Sequence, residues 1–148
     1  MDALEGVKLR VLTSKDLDAI TEIDNQIFKR PRRDYWETRL AHLEIASAVP
    51  SIAAEKDGEV IGFIIGSTSG WEYGIPESVG YIDAIGVLPQ WHGKGISQLL
   101  LKEMLSMFKK VGLETAYVYV HWKKWDLLRF FDKAGFKRGE MLNLEKAL

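Results

Sequence analysis

Apolar and polar positions alternate over residues 7–12 (V-K-L-R-V-L), the period of a half-buried strand. Thr13 and Ser14 follow as N-cap residues, and Leu17, Ile20, Ile23 and Ile27 then recur at helical spacing. The basic run Lys29-Arg30-Pro31-Arg32-Arg33 breaks this helix at its proline, and Tyr35, Trp36, Leu40, Leu43 and Ile45 predict a second helix. Residues 51–55 and 59–66 read as a hairpin, with Asp57-Gly58 at the turn, where positive backbone dihedrals are needed. The Gly- and Ser-rich stretch 67–80 predicts a loop, and residues 81–87 (Y-I-D-A-I-G-V) a strand that ends at Leu88-Pro89.

Residues 96–111 repeat apolar side chains at the spacing of a long amphipathic helix, which Gly112 stops. Residues 115–121 are a nearly continuous β-prone run, predicting a strand covered on both faces. A further helix is predicted at 125–133, ended at Gly135, and a closing strand at 138–145. The predicted order is βααβββαβαβ, one α/β (α+β) domain over residues 1–148 with a mixed central sheet flanked by helices.

Composition narrows the chemistry. A chain of 148 residues that is 47% hydrophobic and 28% charged has the mix of a globular protein with a single core. A net charge of -1 gives no general reason to expect a nucleic-acid or membrane-surface partner. With no cysteine, disulfides, thiolate zinc sites and a cysteine nucleophile are excluded. His42, His92 and His121 lack metal-ligand spacing, so no metal is expected. The first residues lack the build of a signal peptide and no apolar run is long enough to span a bilayer, which makes a cytoplasmic location the default. Self-association into a homodimer is left open.

The segment that carries chemistry is V-L-P-Q-W-H-G-K-G-I-S, residues 87–97, where a strand ends in proline and a glycine-rich turn opens a long helix. Such a turn leaves backbone N–H groups unpaired at the positive end of the helix dipole, which makes an anion site. Gly93 and Gly95 let the backbone approach a phosphate, and Ser97 adds a hydroxyl. A G-x-x-x-x-G-K-[ST] loop does not occur, and G-x-G-x-x-G fails because Gln98 stands where the third glycine belongs.

The segment resembles the GNAT acetyltransferase superfamily, whose [QR]-x-x-G-x-[GA] loop follows a strand ending in V-x-P. In the best frame His92, Gly93, Lys94, Gly95, Ile96 and Ser97 form the loop, with His92 in place of Gln or Arg and Ser97 in place of Gly or Ala. The resemblance implies a pyrophosphate cradle for acetyl-CoA. It also implies that the strand of Ile85, Gly86 and Val87 splays from that of Val118 and Val120 to admit the pantetheine arm, with the Val87 N–H on the thioester carbonyl. Residues 127–136 (L-L-R-F-F-D-K-A-G-F) resemble the family's late A-x-x-L-Y-x-x-x-G-F segment, but Phe131 replaces the tyrosine often taken as the acid, and Lys124 an asparagine.

The implied activity is direct transfer of acetyl from acetyl-CoA to a primary amine: a protein N-terminus, a lysine or a small amine. Asp83 is the candidate base, because a carboxylate two residues before Ile85 resembles the acidic residue of some amine-acetylating members; the alternative is a structural ion pair. Alternation places Asp83 on one face with Ile85 and Val87. Tyr119, or else His121, could supply the proton that Phe131 cannot. Glu22, Asp24, Asp34 and Glu37 on the two early helices would suit a cationic acceptor. A non-catalytic acyl-CoA-binding module and a nucleotide-phosphate binder are the competing readings. The aromatics at 122–136 are read as core and cleft wall, and the run 29–33 as a solvated loop.

Overall fold

The computed structural model describes residues 3–46, 49–68 and 78–148. It divides into two compact units, Met1–Val118 and Tyr119–Leu148. The first holds strand β1 (Lys8–Val11), helices α1 (Leu17–Phe28) and α2 (Arg33–Ala46), strands β2 (Ile52–Lys56), β3 (Glu59–Thr68) and β4 (Val79–Val87), helix α3 (Ile96–Lys110) and strand β5 (Thr115–Val118). The second holds helix α4 (Trp125–Lys133).

The sheet has the order β1-β2-β3-β4-β5. Its first three pairings are antiparallel and the last, β4 with β5, is parallel, so the sheet is mixed as predicted. Asp57 and Gly58 both take positive φ (52° and 79°) at the β2–β3 turn, the geometry that makes Asp-Gly a hairpin signal. Between β1 and α1 the chain makes a short 3₁₀ turn, Ser14–Asp16, closed by a capping box between Thr13 and Asp16. Arg10 binds Asp16 through two bonds (2.9 and 2.8 Å) and Glu55 through a third (2.7 Å), tying this entry to β2.

Helices cover both sides of the sheet. On one side α1 and α2 pack: Trp36 meets Phe63 edge-on at 5.6 Å, and a Cβ added at Gly86 would lie 2.8 Å from Phe63 and 3.3 Å from Ile23. On the other side α3 buries Ile96, Leu100, Leu101, Met104 and Phe108. There a Cβ at Gly66 would meet Met104 at 2.6 Å, and one at Gly80 would meet Phe108 at 2.8 Å. These glycines let a bulky helix lie directly on the sheet.

Gly80 and Gly86 are six residues apart in one strand, so unbroken alternation would turn them to the same face. They face opposite helices because a β-bulge interrupts β4. Ile65 pairs with Ala84 and Gly66 with Ile82, which leaves Asp83 as the extra residue. Above the bulge the even positions face α3, and below it the odd ones do.

Several predicted boundaries change. Strand β3 runs two residues further, to Thr68, and β4 starts at Val79, so most of the predicted loop 67–80 lies outside the described residues. The strand predicted at 115–121 ends at Val118, and its residues are exposed to half-buried, not covered on both faces; among the described residues β5 pairs with β4 alone, at the edge of the sheet. The closing strand predicted at 138–145 has no regular structure. Gly139 and Asn143 are poor strand formers, and Met141, Leu142 and Leu144 are exposed, so these apolar side chains add no burial there.

Candidate active site

β4 ends at Val87, and a 3₁₀ turn, Pro89–Trp91, carries the chain to His92. Gly93 (φ 74°) and Gly95 (φ 86°) both adopt the left-handed conformation that a side chain resists. Gly95 is the N-cap of α3, and no side chain caps the helix. Among the described residues the first backbone bond of α3 runs from the Leu99 N–H to the Gly95 carbonyl (3.0 Å). The preceding amides, Ile96, Ser97 and Gln98, are therefore left as donors at the positive end of a fifteen-residue helix. A Cβ at Gly93 would meet nothing within 4 Å, so its space lies open to a ligand. This loop has the conformation, the donors and the room that a pyrophosphate requires.

The loop is braced from within. His92 Nε2 lies 2.7 Å from the Val87 carbonyl, and because a carbonyl only accepts, Nε2 carries the proton. The Ile96 side chain is buried against Gly62, which leaves only its backbone to face a ligand. Lys94 is exposed, with its ammonium 4.9 Å from the centre of the Trp91 ring, and Lys56 approaches the same ring at 5.6 Å.

Upstream, the Leu88 N–H bonds to the Ile61 carbonyl (2.9 Å). With Gly62 opposite Val87 and Ile64 opposite Ile85, that bond fixes the ladder phase. The N–H and C=O groups of Ile85 and Val87 point away from β3, toward the side on which β5 pairs. Pairing with β5 covers Val79 to Ile82 only, so in the first unit the lower half of that edge has no partner strand.

Asp83 does not share a face with Ile85 and Val87, contrary to the alternation argument, because the bulge intervenes. Val87 lies on the α3 side, near Gly62 and Ile96, whereas the Asp83 carboxylate reaches α2, where the Arg39 guanidinium donates to Oδ2 at 2.7 Å. The two side chains are 27% and 30% exposed, a paired but reachable carboxylate. Arg39, the partner of Asp83, is a residue that sequence reasoning missed. Nothing in helical spacing distinguishes it from a solvated arginine.

Asp24, suggested as a carboxylate for the acceptor, is unsuited to it. Its side chain is 2% exposed and takes two bonds from Arg32 (2.8 and 2.6 Å). Burial raises its pKa, but the hydrogen bonds and charge of Arg32, with smaller help from Trp36 and Arg30, outweigh that and hold it below the usual carboxylate range. The Trp36 Nε1–H leans on this carboxyl without meeting hydrogen-bond geometry. Arg32 is in turn enclosed by Phe28, Tyr35 and Trp36 at 4.9 to 5.9 Å. The pair locks the α1–α2 corner. Glu22 bonds Gln26 along its own helix (2.7 Å), and Asp34 and Glu37 are exposed.

Tyr119, Lys124 and Phe131 belong to the second unit. Tyr119 is exposed, and Lys124 is the N-cap of α4 without a side-chain cap. Phe131 is 3% exposed, with Phe130 and Phe136 each 5.1 Å from its ring. His121 accepts from the Lys123 N–H (3.1 Å) and stacks on Trp122. Among the described residues no cluster of three or more His, Cys, Asp or Glu could hold a metal, and no helix is long and apolar enough to cross a membrane.

An uncapped, glycine-led helix at the end of a bulged strand with an open edge is an anion-binding arrangement within an α/β fold. Comparison with known proteins makes this specific. The acetyltransferase (GNAT) family model matches residues 17–136, and the chain belongs to that family. An uncharacterized N-acetyltransferase of Methanocaldococcus jannaschii is 30% identical over 138 residues, spanning 90% of this chain and 80% of the relative. The N-alpha-acetyltransferase RimI of Mycobacterium tuberculosis is 28% identical over 139 residues, with the same coverage. Among solved structures, the aminoglycoside N-acetyltransferase AAC(6')-Iy in complex with CoA superposes with a TM-score of 0.81 at 18% identity, covering 95% of this chain and 94% of that one. The fold class is thus the GNAT acyl-CoA N-acyltransferase fold, and the chain is an acyltransferase.

Proposed function

We propose that this protein transfers the acetyl group of acetyl-CoA directly to a primary amine, as a single domain over residues 1–148. The observation that carries the reading is the uncapped N-terminus of α3 behind two left-handed glycines, beside the open edge of β4. The family match, which runs from 17 to 136 and so through both units, supports a single domain. The CoA complex of the aminoglycoside enzyme supports the choice of cosubstrate.

The amides from Gly93 to Ser97 hold the pyrophosphate, and Lys94 adds a positive charge beside it. Acetyl-CoA supplies an activated thioester. The Val87 N–H, at the open edge, donates to the thioester carbonyl, where negative charge develops. Asp83, about 7 Å along the strand from Ile85, takes a proton from the incoming ammonium directly or through water. The neutral amine nitrogen forms the new C–N bond as the C–S bond breaks; the nitrogen sheds its second proton to solvent and the thiolate leaves. A thiol with a pKa of about 8.5 departs readily near neutral pH, so the hydroxyl missing at Phe131 is dispensable and solvent can protonate the thiolate.

Phe131, packed between two other phenylalanines, also motivates a second reading, a module that binds acetyl-CoA without turnover. Thiol release from acetyl-CoA, measured across small amines, lysine side chains and peptide N-termini, separates the two. Amine-dependent release supports the transferase. Tight acetyl-CoA binding with no release from any acceptor supports the module.

A further inference from the structure

The Arg39–Asp83 pair says something about the acceptor, provided that the transferase reading above holds. The pair bridges α2 and the bulge of β4, on the face opposite α3 and hence opposite the helix whose N-terminus forms the anion loop. Neither side chain is fully exposed, and the contact is a single 2.7 Å bond to Oδ2. An ammonium that approaches Asp83 must compete with the guanidinium already there. If the acceptor brings only a cation, Arg39 is left beside it without a counter-ion, and the guanidinium and the ammonium repel each other. An acceptor that brings a cation and an anion close together exchanges one ion pair for two, and every charge stays paired.

We infer that Arg39 is a specificity-determining residue, and that the favoured acceptor carries a carboxylate beside its amine. Asp83 takes the ammonium and Arg39 takes the carboxylate. Two sources share this chemistry: the α-carboxylate of a free amino acid, and an acidic side chain next to a peptide's N-terminal residue. Arginine suits the task because its planar fork matches a carboxylate and stays charged throughout the working pH range.

The test uses two matched probe pairs, alanine against alaninamide and the dipeptide amides Ala-Asp-NH2 against Ala-Asn-NH2, with acetyl-CoA and the full-length wild-type protein, Arg39→Met and Arg39→Lys. The members of each pair differ in amine basicity as well, so the quantity read is the change in their kcat/KM ratio on substitution. The wild type should favour the carboxylate-bearing member of at least one pair by about tenfold, in line with one charge-assisted contact. Which pair responds identifies the source. Arg39→Met should abolish the preference with an unchanged melting temperature, and Arg39→Lys should keep part of it. Turnover with a ratio that Arg39→Met does not alter overturns the inference alone, as does an equal gain for both members, which would make Arg39 a mere competitor for Asp83. If Arg39→Met is destabilised, Arg39→Lys decides, since a purely structural cation would leave the ratio untouched. No thiol release with any probe, or with the broader amine panel, overturns the transferase reading and this inference with it.

Discussion

The loop of residues 92–97 and the corner where Asp83 meets Arg39 lie on opposite sides of β4 and are built from different materials. The loop presents main-chain amides whose direction is set by two left-handed glycines and by the start of α3. The corner presents two charged side chains, one raised by a bulge and one delivered by a separate helix. A backbone site tolerates exchange of its side chains, which is why His92 and Ser97 can stand where the family more often has Gln or Arg and Gly or Ala. A side-chain site has no such reserve, so single substitutions should divide the two regions cleanly.

The largest effect is expected at the corner. Asp83→Asn keeps the shape but loses the charge and the proton acceptor, and kcat/KM for the amine should fall by about 10²- to 10⁴-fold while acetyl-CoA affinity stays near wild type. Lost stability with normal turnover would instead mark Asp83 as a structural carboxylate.

Next comes the buried pair that locks the α1–α2 corner. Asp24→Asn leaves Arg32 without its counter-ion and should cost about 3 kcal/mol in chemical denaturation near neutral pH. Because the folded pKa of Asp24 lies below its unfolded value, its stabilisation is present above about pH 4 and is lost as the pH falls through the folded value. The difference between wild type and Asp24→Asn should therefore narrow below about pH 4. A difference that stays constant into acid would show that the charge of Asp24 is not what stabilises the corner.

Smaller effects should follow elsewhere. His92→Ala removes the brace to the Val87 carbonyl, worth about 1 kcal/mol, so the KM for acetyl-CoA should rise about fivefold with the amine KM unchanged. Phe131→Tyr should change turnover by less than about threefold, since a thiolate with a conjugate-acid pKa near 8.5 needs little protonation to leave. A gain of a hundredfold would reinstate an acid at that position.

The same division explains how much could be read in advance. Gly93 and Gly95 announce a backbone site because glycine takes positive φ without strain, and Asp57-Gly58 announces its hairpin because both residue types tolerate it. Helix α4 falls at its predicted bounds, 125–133, because its apolar spacing is local. The bulge at Asp83 was not legible: Y-I-D-A-I-G-V reads as plain alternation, and the extra residue appears only once β3 is laid beside it. Arg39 was hidden for the same reason, since its partner is 44 positions away in sequence. The strand expected at 138–145 shows the converse, because apolar side chains alone do not make a strand without a neighbour to pair with.

Whether the amides around Gly95 hold acetyl-CoA can be read from a calorimetric titration of acetyl-CoA into wild type and Gly95→Val. A Cβ at φ 86° costs about 1–2 kcal/mol of local strain and disturbs the first turn of α3. Saturable binding to the wild type is expected, with at least about tenfold weaker binding to a Gly95→Val protein that remains folded. No binding to the wild type at millimolar acetyl-CoA, or equal affinity in the two proteins, would contradict that role for these amides.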